Sequence, residues 1–380
     1  MTQTNRVTSG LRAVAAGVER AVDAVRYRAK RRRGYTRPLA VQVYRALGNR
    51  GRVRFAARVL EDRGLPAPTP HDSAWVNLRR MLRMLETDEV PRARVRFLYA
   101  GQEQTLVADQ EGYIHGEFHA AEGEAFPPGR SEIACDLLEP IASEQKETRF
   151  TGEVFIPHEA ARWVVVSDID DTVMHTQATS LVRMAVGTLF TNAYGRVAFP
   201  GVGAFYRSLH AADGRNPVFY LTSSPWNLYE LIRTFLEIHG LPDGPLLMRD
   251  LGLGPGQHIR GGHEEHKVTR VRALLDLYPE QKFILIGDTG QHDAEIYLNI
   301  CRQAPDRVMA VYLRDVSADV VRDDAVAGIV DEIRRLGVAC VAAEDTVAHA
   351  EHAAEQGWIT GEELHAVRGG RRKDEAEGAG

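Results

Sequence analysis

"VVVSDIDDT", residues 164–172, carries three valines straight into three aspartates within four residues. The apolar run suits a strand buried on both faces. It ends, however, in carboxylates that repel one another at such close spacing. Folding alone gives no reason to crowd them, so a positive partner is expected at the end of this strand.

The same pattern recurs downstream. After Arg162, "WVVVS", "VFYLT", "PLLM", "FILIG", "VMAVYL" and "VACVA" alternate with helical segments of ten or more residues. Near-continuous apolar strands separated by amphipathic helices predict an α/β domain, a doubly wound parallel sheet covered on both faces. Ligands of such sheets bind outside the carboxyl ends of the strands. Those ends supply Asp168, Asp170 and Asp171 from the first strand, then Thr222, Ser223 and Ser224 from the second. "GDTGQHD" adds Asp288 and Asp293, and Lys267 starts the helix that leads into that strand.

Each group fits a phosphate site. Asp168, Asp170, Asp288 and Asp293 form a hard oxygen cage that suits Mg²⁺, which takes few protein ligands and leaves room for water and phosphate. "LTSSPW" predicts Ser224 as a helix N-cap with Pro225 at the first helical position. The helix "WNLYELIRTFLEI" would turn Leu228, Leu231, Ile232, Phe235 and Ile238 inward and aim its N-terminal N–H groups at an anion. Thr222 and Ser223 offer hydroxyls there, and Lys267 a full positive charge for a phosphoryl oxygen. Lys282 competes with Lys267 but reads as a solvated strand start.

"DIDDT", the threonine ending the second strand, the later lysine and "GDTGQHD" resemble, in order and spacing, the four motifs of the haloacid dehalogenase superfamily of phosphotransferases. More narrowly, "SDIDDTV", "YLTSSPWNLY" and "FILIGDTGQHDAEIY" are similar to the catalytic domain of the actin-patch-associated phosphatidate phosphatase family, relatives of the lipins. The resemblance covers roughly residues 150–345. It implies that Asp168 is a nucleophile forming an aspartyl-phosphate and Asp170 the acid/base. It further implies Thr222, with Ser223 as the alternative hydroxyl, and Lys267 as phosphate holders. Asp288 is then a Mg²⁺ ligand, and Asp293 a ligand or the orienter of Lys267. Asp171 is left without a role. The implied activity is a Mg²⁺-dependent phosphomonoester hydrolase whose first-choice substrate is phosphatidate. Soluble or protein phosphomonoesters, or phosphatidate binding without turnover, are the alternatives.

The rest of the chain bounds this reading. With 380 residues, 44% hydrophobic and 26% charged, two globular domains are expected. A net charge of −5 decides nothing by itself about nucleic acid, and no such partner is expected. Three dispersed cysteines argue for a reducing, cytoplasmic setting and against a zinc site. His258, His263 and His266 in "GQHIRGGHEEHK" lack metal-ligand spacing and read as a polar loop, and His292 as structural. No apolar run approaches the ~20 residues of a membrane helix. Residues 1–37 read as a basic amphipathic helix or arm, with Leu11, Val14, Val18, Val22 and Val25 on one stripe and nine basic residues up to Arg33. Such a helix suits peripheral contact with an anionic membrane, although a solvated arm or a helix docked on its own domain is the commoner fate. Residues 38–157 alternate with period two and predict a smaller, mainly antiparallel, sandwich-like β domain with a helical insertion at 72–85. Residues 158–367 form the phosphatase-like domain, and the polar stretch 368–380 is expected to be disordered. Between Thr172 and the second strand, only about 25 residues are left for a cap once a crossover helix is built. A small or absent cap favours a large substrate such as a lipid headgroup.

Overall fold

The computed structural model describes residues 34–62, 89–173, 198–211, 214–249, 263–316 and 320–378. The basic helix of 1–33, the insertion at 72–85, the would-be cap segment and His258 lie outside them.

The first layer is β throughout. Strands β1 (Leu39–Val43), β2 (Ala46–Gly48), β3 (Arg52–Glu61), β4 (Arg94–Tyr99), β5 (Gln102–Val107), β6 (Tyr113–His119), β7 (Gly129–Glu139) and β8 (Arg149–Ile156) form one sheet. Its order is β1-β3-β2-β8-β7-β4-β5, with β6 along the other edge of β3. Pairing is antiparallel except for β2 with β8. The period-two residues Val53, Phe55, Ala57, Val59, Val95, Phe97 and Tyr99 all face one buried core. The ends of the sheet meet where Gln102 Nε2 donates to His119 O (2.7 Å) and Gln104 Nε2 to Glu117 O (3.1 Å). The mainly antiparallel, sandwich-like domain expected from the period-two pattern is thus built as one curled sheet.

The second sheet contains all six expected strands: β9 (Trp163–Asp168), β10 (Val218–Pro225), β11 (Leu246–Arg249), β12 (Lys282–Asp288), β13 (Val308–Arg314) and β14 (Ala339–Ala343). They are parallel, in the order β11-β10-β9-β12-β13-β14. The chain winds outward from β9 in one direction, then from β12 in the other, so the switch point lies between β9 and β12. Helices α1 (Val202–His210), α2 (Tyr229–Ile238), α6 (Thr346–Glu355) and α7 (Gly361–Gly378) cover one face; α3 (His263–Leu277), α4 (Asp293–Gln303) and α5 (Val320–Arg335) cover the other. Alternate residues of β9 serve the two cores, Val165 one and Val164 and Val166 the other.

Three expectations need correction. Ser224 does not cap a helix: β10 runs on through Pro225, Trp226–Leu228 form a 3₁₀ turn, and α2 begins only at Tyr229. Leu228 in the turn and Ile232 and Leu236 on α2 are buried at four-residue spacing, whereas Ile238, the last residue of α2, is exposed. Residues 368–378 are helical rather than a disordered tail, since α7 continues to Gly378, with Val367 fully buried and Asp374 accepting from the Gly201 N–H at 2.9 Å. Tertiary anchoring overrides its polar composition.

Candidate active site

Asp168 and Asp288 are the last residues of β9 and β12, the two strands that flank the switch point. Both are fully buried, as is Asp293 in the first turn of α4. Gly287 permits this packing, because a Cβ there would lie 2.7 Å from the Asp293 carboxylate and from the Tyr297 ring. Asp293 Oδ2 accepts from the Asp288 N–H at 3.3 Å. Oxygen atoms of Asp168, Asp288 and Asp293 all lie within 4.8 Å of one another.

Lys267 holds the trio together. It sits in the second turn of α3 rather than at its start, buried, with Nζ 2.5 Å from both Asp168 Oδ1 and Asp293 Oδ1. Burial alone would lower its pKa, but the two carboxylates prevail and hold the ammonium above its ordinary value. Lys282, by contrast, is exposed at the start of β12.

Asp170 stands apart from the trio. Its Oδ2 accepts a hydrogen bond from Thr222 Oγ1 at 3.1 Å, and the same Thr222 oxygen accepts from the Ser224 N–H at 3.1 Å. Thr222 is fully buried in the carboxyl-terminal half of β10, while Ser223 is half-buried. Of the two hydroxyls, Thr222 is the one that faces the carboxylates. Burial pushes the Asp170 carboxyl up to about 6, against the pull of Lys267 and the Thr222 hydrogen bond. Burial, helped by Asp293, pushes Asp288 up to about 8 and Asp168 well above the carboxylate range.

Among the described residues, Asp168 Oδ2, Asp170 Oδ1 and Asp288 Oδ2 are buried without a hydrogen-bond partner. Four carboxylates against one ammonium leave three surplus negative charges if all ionise. Such a set is costly unless a cation joins it. The donor set is all oxygen, with orphaned lone pairs on two strand ends, and it fits a small hard divalent ion.

Several residues that hold this geometry carried no signal of their own in the sequence. Gln291 reaches across the crevice: its N–H donates to Asp288 Oδ1 at 2.6 Å, while Nε2 lies 3.4 Å from Asp170 O and 3.5 Å from Asp171 Oδ2. Asp171 adopts a positive φ of 57° and is thereby placed towards Gln291. The position of Gln291 inside "GDTGQHD" was the available clue. Arg322 on α5 donates to the carbonyls of Thr289 and Gln291 and pairs with Glu295, clamping the same loop. Arg314 ends β13 buried, donates to Thr172 O at 3.3 Å, and lies 3.9 Å over the Phe199 ring. Below Asp168, Ser167 Oγ donates to the Asp168 carbonyl at 2.6 Å and lies 2.6 Å from the Tyr206 hydroxyl. His292 is exposed and precedes α4 without a side-chain cap.

Comparison with known proteins bears on this crevice. Residues 163–315 match the family model described as "Phosphatidate phosphatase APP1, catalytic domain". That interval runs from the start of β9 to just past β13 and includes Asp168, Asp170, Thr222, Lys267, Asp288 and Asp293. The phosphatidate phosphatase APP1 of Saccharomyces cerevisiae is 28% identical over 190 residues, 50% of this chain and 31% of that protein. An uncharacterized protein of Schizosaccharomyces pombe is 26% identical over 156 residues, 41% of this chain and 25% of that one. The chain thus matches about a third or less of the length of these relatives. A carbohydrate acetylesterase structure from Xanthomonas citri aligns at 10% identity over 76% of this chain and 72% of its own, with a TM-score of 0.24, too low to bear on fold or function. Residues 163–315 are thus similar to the catalytic domain of the APP1 phosphatidate phosphatases over the interval that carries the whole crevice.

Proposed function

We propose that the chain is a Mg²⁺-dependent phosphomonoester hydrolase of the haloacid dehalogenase type, acting first on phosphatidate. The observation that carries this reading is the convergence of Asp168, Asp288, Asp293 and Lys267 at one switch point, with Asp170 and Thr222 beside them. Asp168, Asp288 and Asp293 would hold the ion, with Asp170 contributing at its edge. When bound, the ion offsets the surplus carboxylate charge and draws electron density from the phosphoryl oxygens.

The chain's own groups account for the remaining chemistry. Lys267 and Thr222 hold the phosphoryl group against Asp168. An Asp168 oxygen attacks phosphorus, and the bond from phosphorus to the lipid oxygen breaks. Asp170, raised to about 6, is protonated often enough near neutral pH to give its proton to the departing diacylglycerol oxygen. The resulting Asp170 carboxylate then takes a proton from water, which attacks the aspartyl-phosphate, freeing inorganic phosphate and restoring Asp168. Asp293 keeps Lys267 in line throughout.

A peripheral membrane role for residues 1–33 belongs to the same proposal: nine basic residues would favour anionic vesicles. The decisive test is phosphate release from phosphatidate in vesicles and from a panel of soluble monoesters, each with and without Mg²⁺. Release from phosphatidate only with Mg²⁺, abolished by Asp168→Asn, is expected. Release from soluble esters alone would redirect the substrate assignment, and release from none would overturn the enzymatic reading.

A further inference from the structure

Among the described residues, the β domain meets the phosphatase-like domain through residues 44–49, with Tyr113, Arg130 and Phe155 beside them. We infer that residues 44–49, which run from the end of β1 to the β2–β3 turn, bracket the two elements that carry Thr222 and Lys267, with Tyr44 as the principal positioning residue. The consequence for activity rests on the function proposed above; the bracket itself does not.

Tyr44 is buried, and its ring centroid lies 4.1 Å from that of Trp226 and 5.2 Å from that of Tyr229. Those residues belong to the 3₁₀ turn and to the start of α2. Just upstream, the Ser224 N–H bonds Thr222 Oγ1, which in turn donates to Asp170. The phosphate loop of β10 is thus followed at once by aromatic rings clamped from the β domain. Beyond α2, Arg45 grips Asp243 with Nη1 at 2.6 Å and Nη2 at 2.9 Å. Arg130 joins at 2.6 Å, and Glu153 holds both arginines, at 2.9 and 2.6 Å. The stretch from Trp226 to Asp243 is therefore pinned at both ends.

The opposite face of the sheet is held by the same six residues. Asn49 Nδ2 donates to the carbonyl of Leu277, the last residue of α3, at 2.8 Å. Helix α3 carries Lys267, and a carbonyl at a helix end needs such a donor. Leu47 packs against the core on that face, whereas Tyr44 belongs to the core on the other. Residues 44–49 therefore straddle the sheet and reach the two phosphate-holding elements from both sides. Asp243 is half exposed, so its ion pairs count for less than the buried ring contacts. Positioning should therefore depend chiefly on Tyr44, because a displacement of about 1 Å at a reacting centre costs about 100-fold in rate.

The test uses the full chain in three forms: wild type, Tyr44→Ala and Tyr44→Phe. Phe97→Leu, buried inside the β domain, serves as a control for general destabilisation. Hydrogen exchange is followed over residues 222–229, inorganic phosphate affinity by calorimetry with Mg²⁺, and kcat/KM with p-nitrophenyl phosphate well below the melting temperature. Tyr44→Ala should speed exchange at 222–229, weaken phosphate binding and lower kcat/KM about 10- to 100-fold. Tyr44→Phe should restore all three, and Phe97→Leu should leave them near wild type. Should Tyr44→Ala not fold, Arg45→Ala with Asn49→Ala is expected to change the same readouts in the same direction by a smaller factor. Exchange at 222–229 equal to wild type, or raised equally by Phe97→Leu, overturns the bracket. A wild type inactive on every monoester would sink the phosphatase reading while the exchange comparison still decides the bracket.

Discussion

The two sheets treat charge in opposite ways. In the β domain, charged side chains form ladders at the rim, such as Arg96 with Asp136 and Arg54 with Glu117, with the arginines exposed by 42% and 45%. At the carboxyl end of the parallel sheet, Asp168, Asp288 and Asp293 are fully buried, and oxygens of the first two have no hydrogen-bond partner. Rim ladders contribute little to stability and cost little, whereas buried, uncompensated carboxylates are unfavourable for folding. Groups that oppose stability in this way are what mark the crevice as the candidate site.

That contrast can be broken first at its extremes. Asp168→Asn should cut turnover by about a thousandfold or more without lowering the melting temperature. Phe97→Ala, in the β core 4.6 Å from the Phe55 ring, should cost about 3–5 kcal/mol of stability. Its turnover per folded molecule should stay near wild type. Calorimetry beside phosphate release checks both, and a loss of stability in the first or of intrinsic turnover in the second would erase the distinction.

The next contrast concerns the cation. Asp288 is raised to about 8 when folded, above its ordinary 3.8, so the protonated site is the more stable one. Its contribution is complete below about pH 4 and is lost as pH rises through about 8. Asp288→Asn should therefore stabilise the cation-free chain by about 1–3 kcal/mol at pH 8. Mg²⁺ should raise the melting temperature of wild type more at pH 8 than at pH 5, where protons compete, and leave Asp288→Asn unmoved. An equal Mg²⁺ shift in the variant would remove Asp288 from the ion site.

His349 sharpens the comparison away from the crevice. Burial, with Arg314 nearby, pushes this imidazole down to about 3, and its Nε2 lies 3.3 Å from Leu313 O. The folded value is below the unfolded 6.5, so its neutral form supports the fold fully above pH 6.5. Stability should fall as pH drops from 6.5 towards 3, by at most ~1.4 kcal/mol per unit. A melting series in His349→Gln should show a flatter slope over that window. The smallest effect is expected for Lys282→Ala, within about 0.5 kcal/mol and with normal turnover, in contrast to an inactive Lys267→Ala.

Much of this arrangement was legible because the physics that reveals it is local. All six parallel strands announce themselves as short apolar runs, and the charged groups that end them stand out against that background. The choice of Lys267 over Lys282 could be made from position alone. The start of α2 could not: Ser224-Pro225 has cap chemistry, but β10 stays paired to β11 through Pro225 and Arg249, and that pairing takes precedence. Asp170 was expected among the ion ligands, and what the sequence did not show is that its Oδ2 accepts from Thr222, 52 residues away, while Oδ1 has no hydrogen-bond partner. Tyr44, Arg314 and Arg322 carry no local signal, because each acts on a segment distant in sequence. Helix α7 was hidden by its polar composition, since its buried contacts come from single residues spaced among charges.

That last helix bears on how the molecule can be shortened. Gly201, at the start of α1 with φ 79°, faces the Val367 carbonyl and the Arg371 backbone, and its N–H is taken by Asp374. Arg371 also reaches back to Asp345, which caps α6. A polypeptide ended at residue 367, where charge and glycine invite a cut, would bare the wall beneath α1 and loosen the cap of α6 in one step. A protease acting at the basic run 371–373 would do the same, so resistance to trypsin at those bonds offers a direct gauge of whether this face of the sheet is closed.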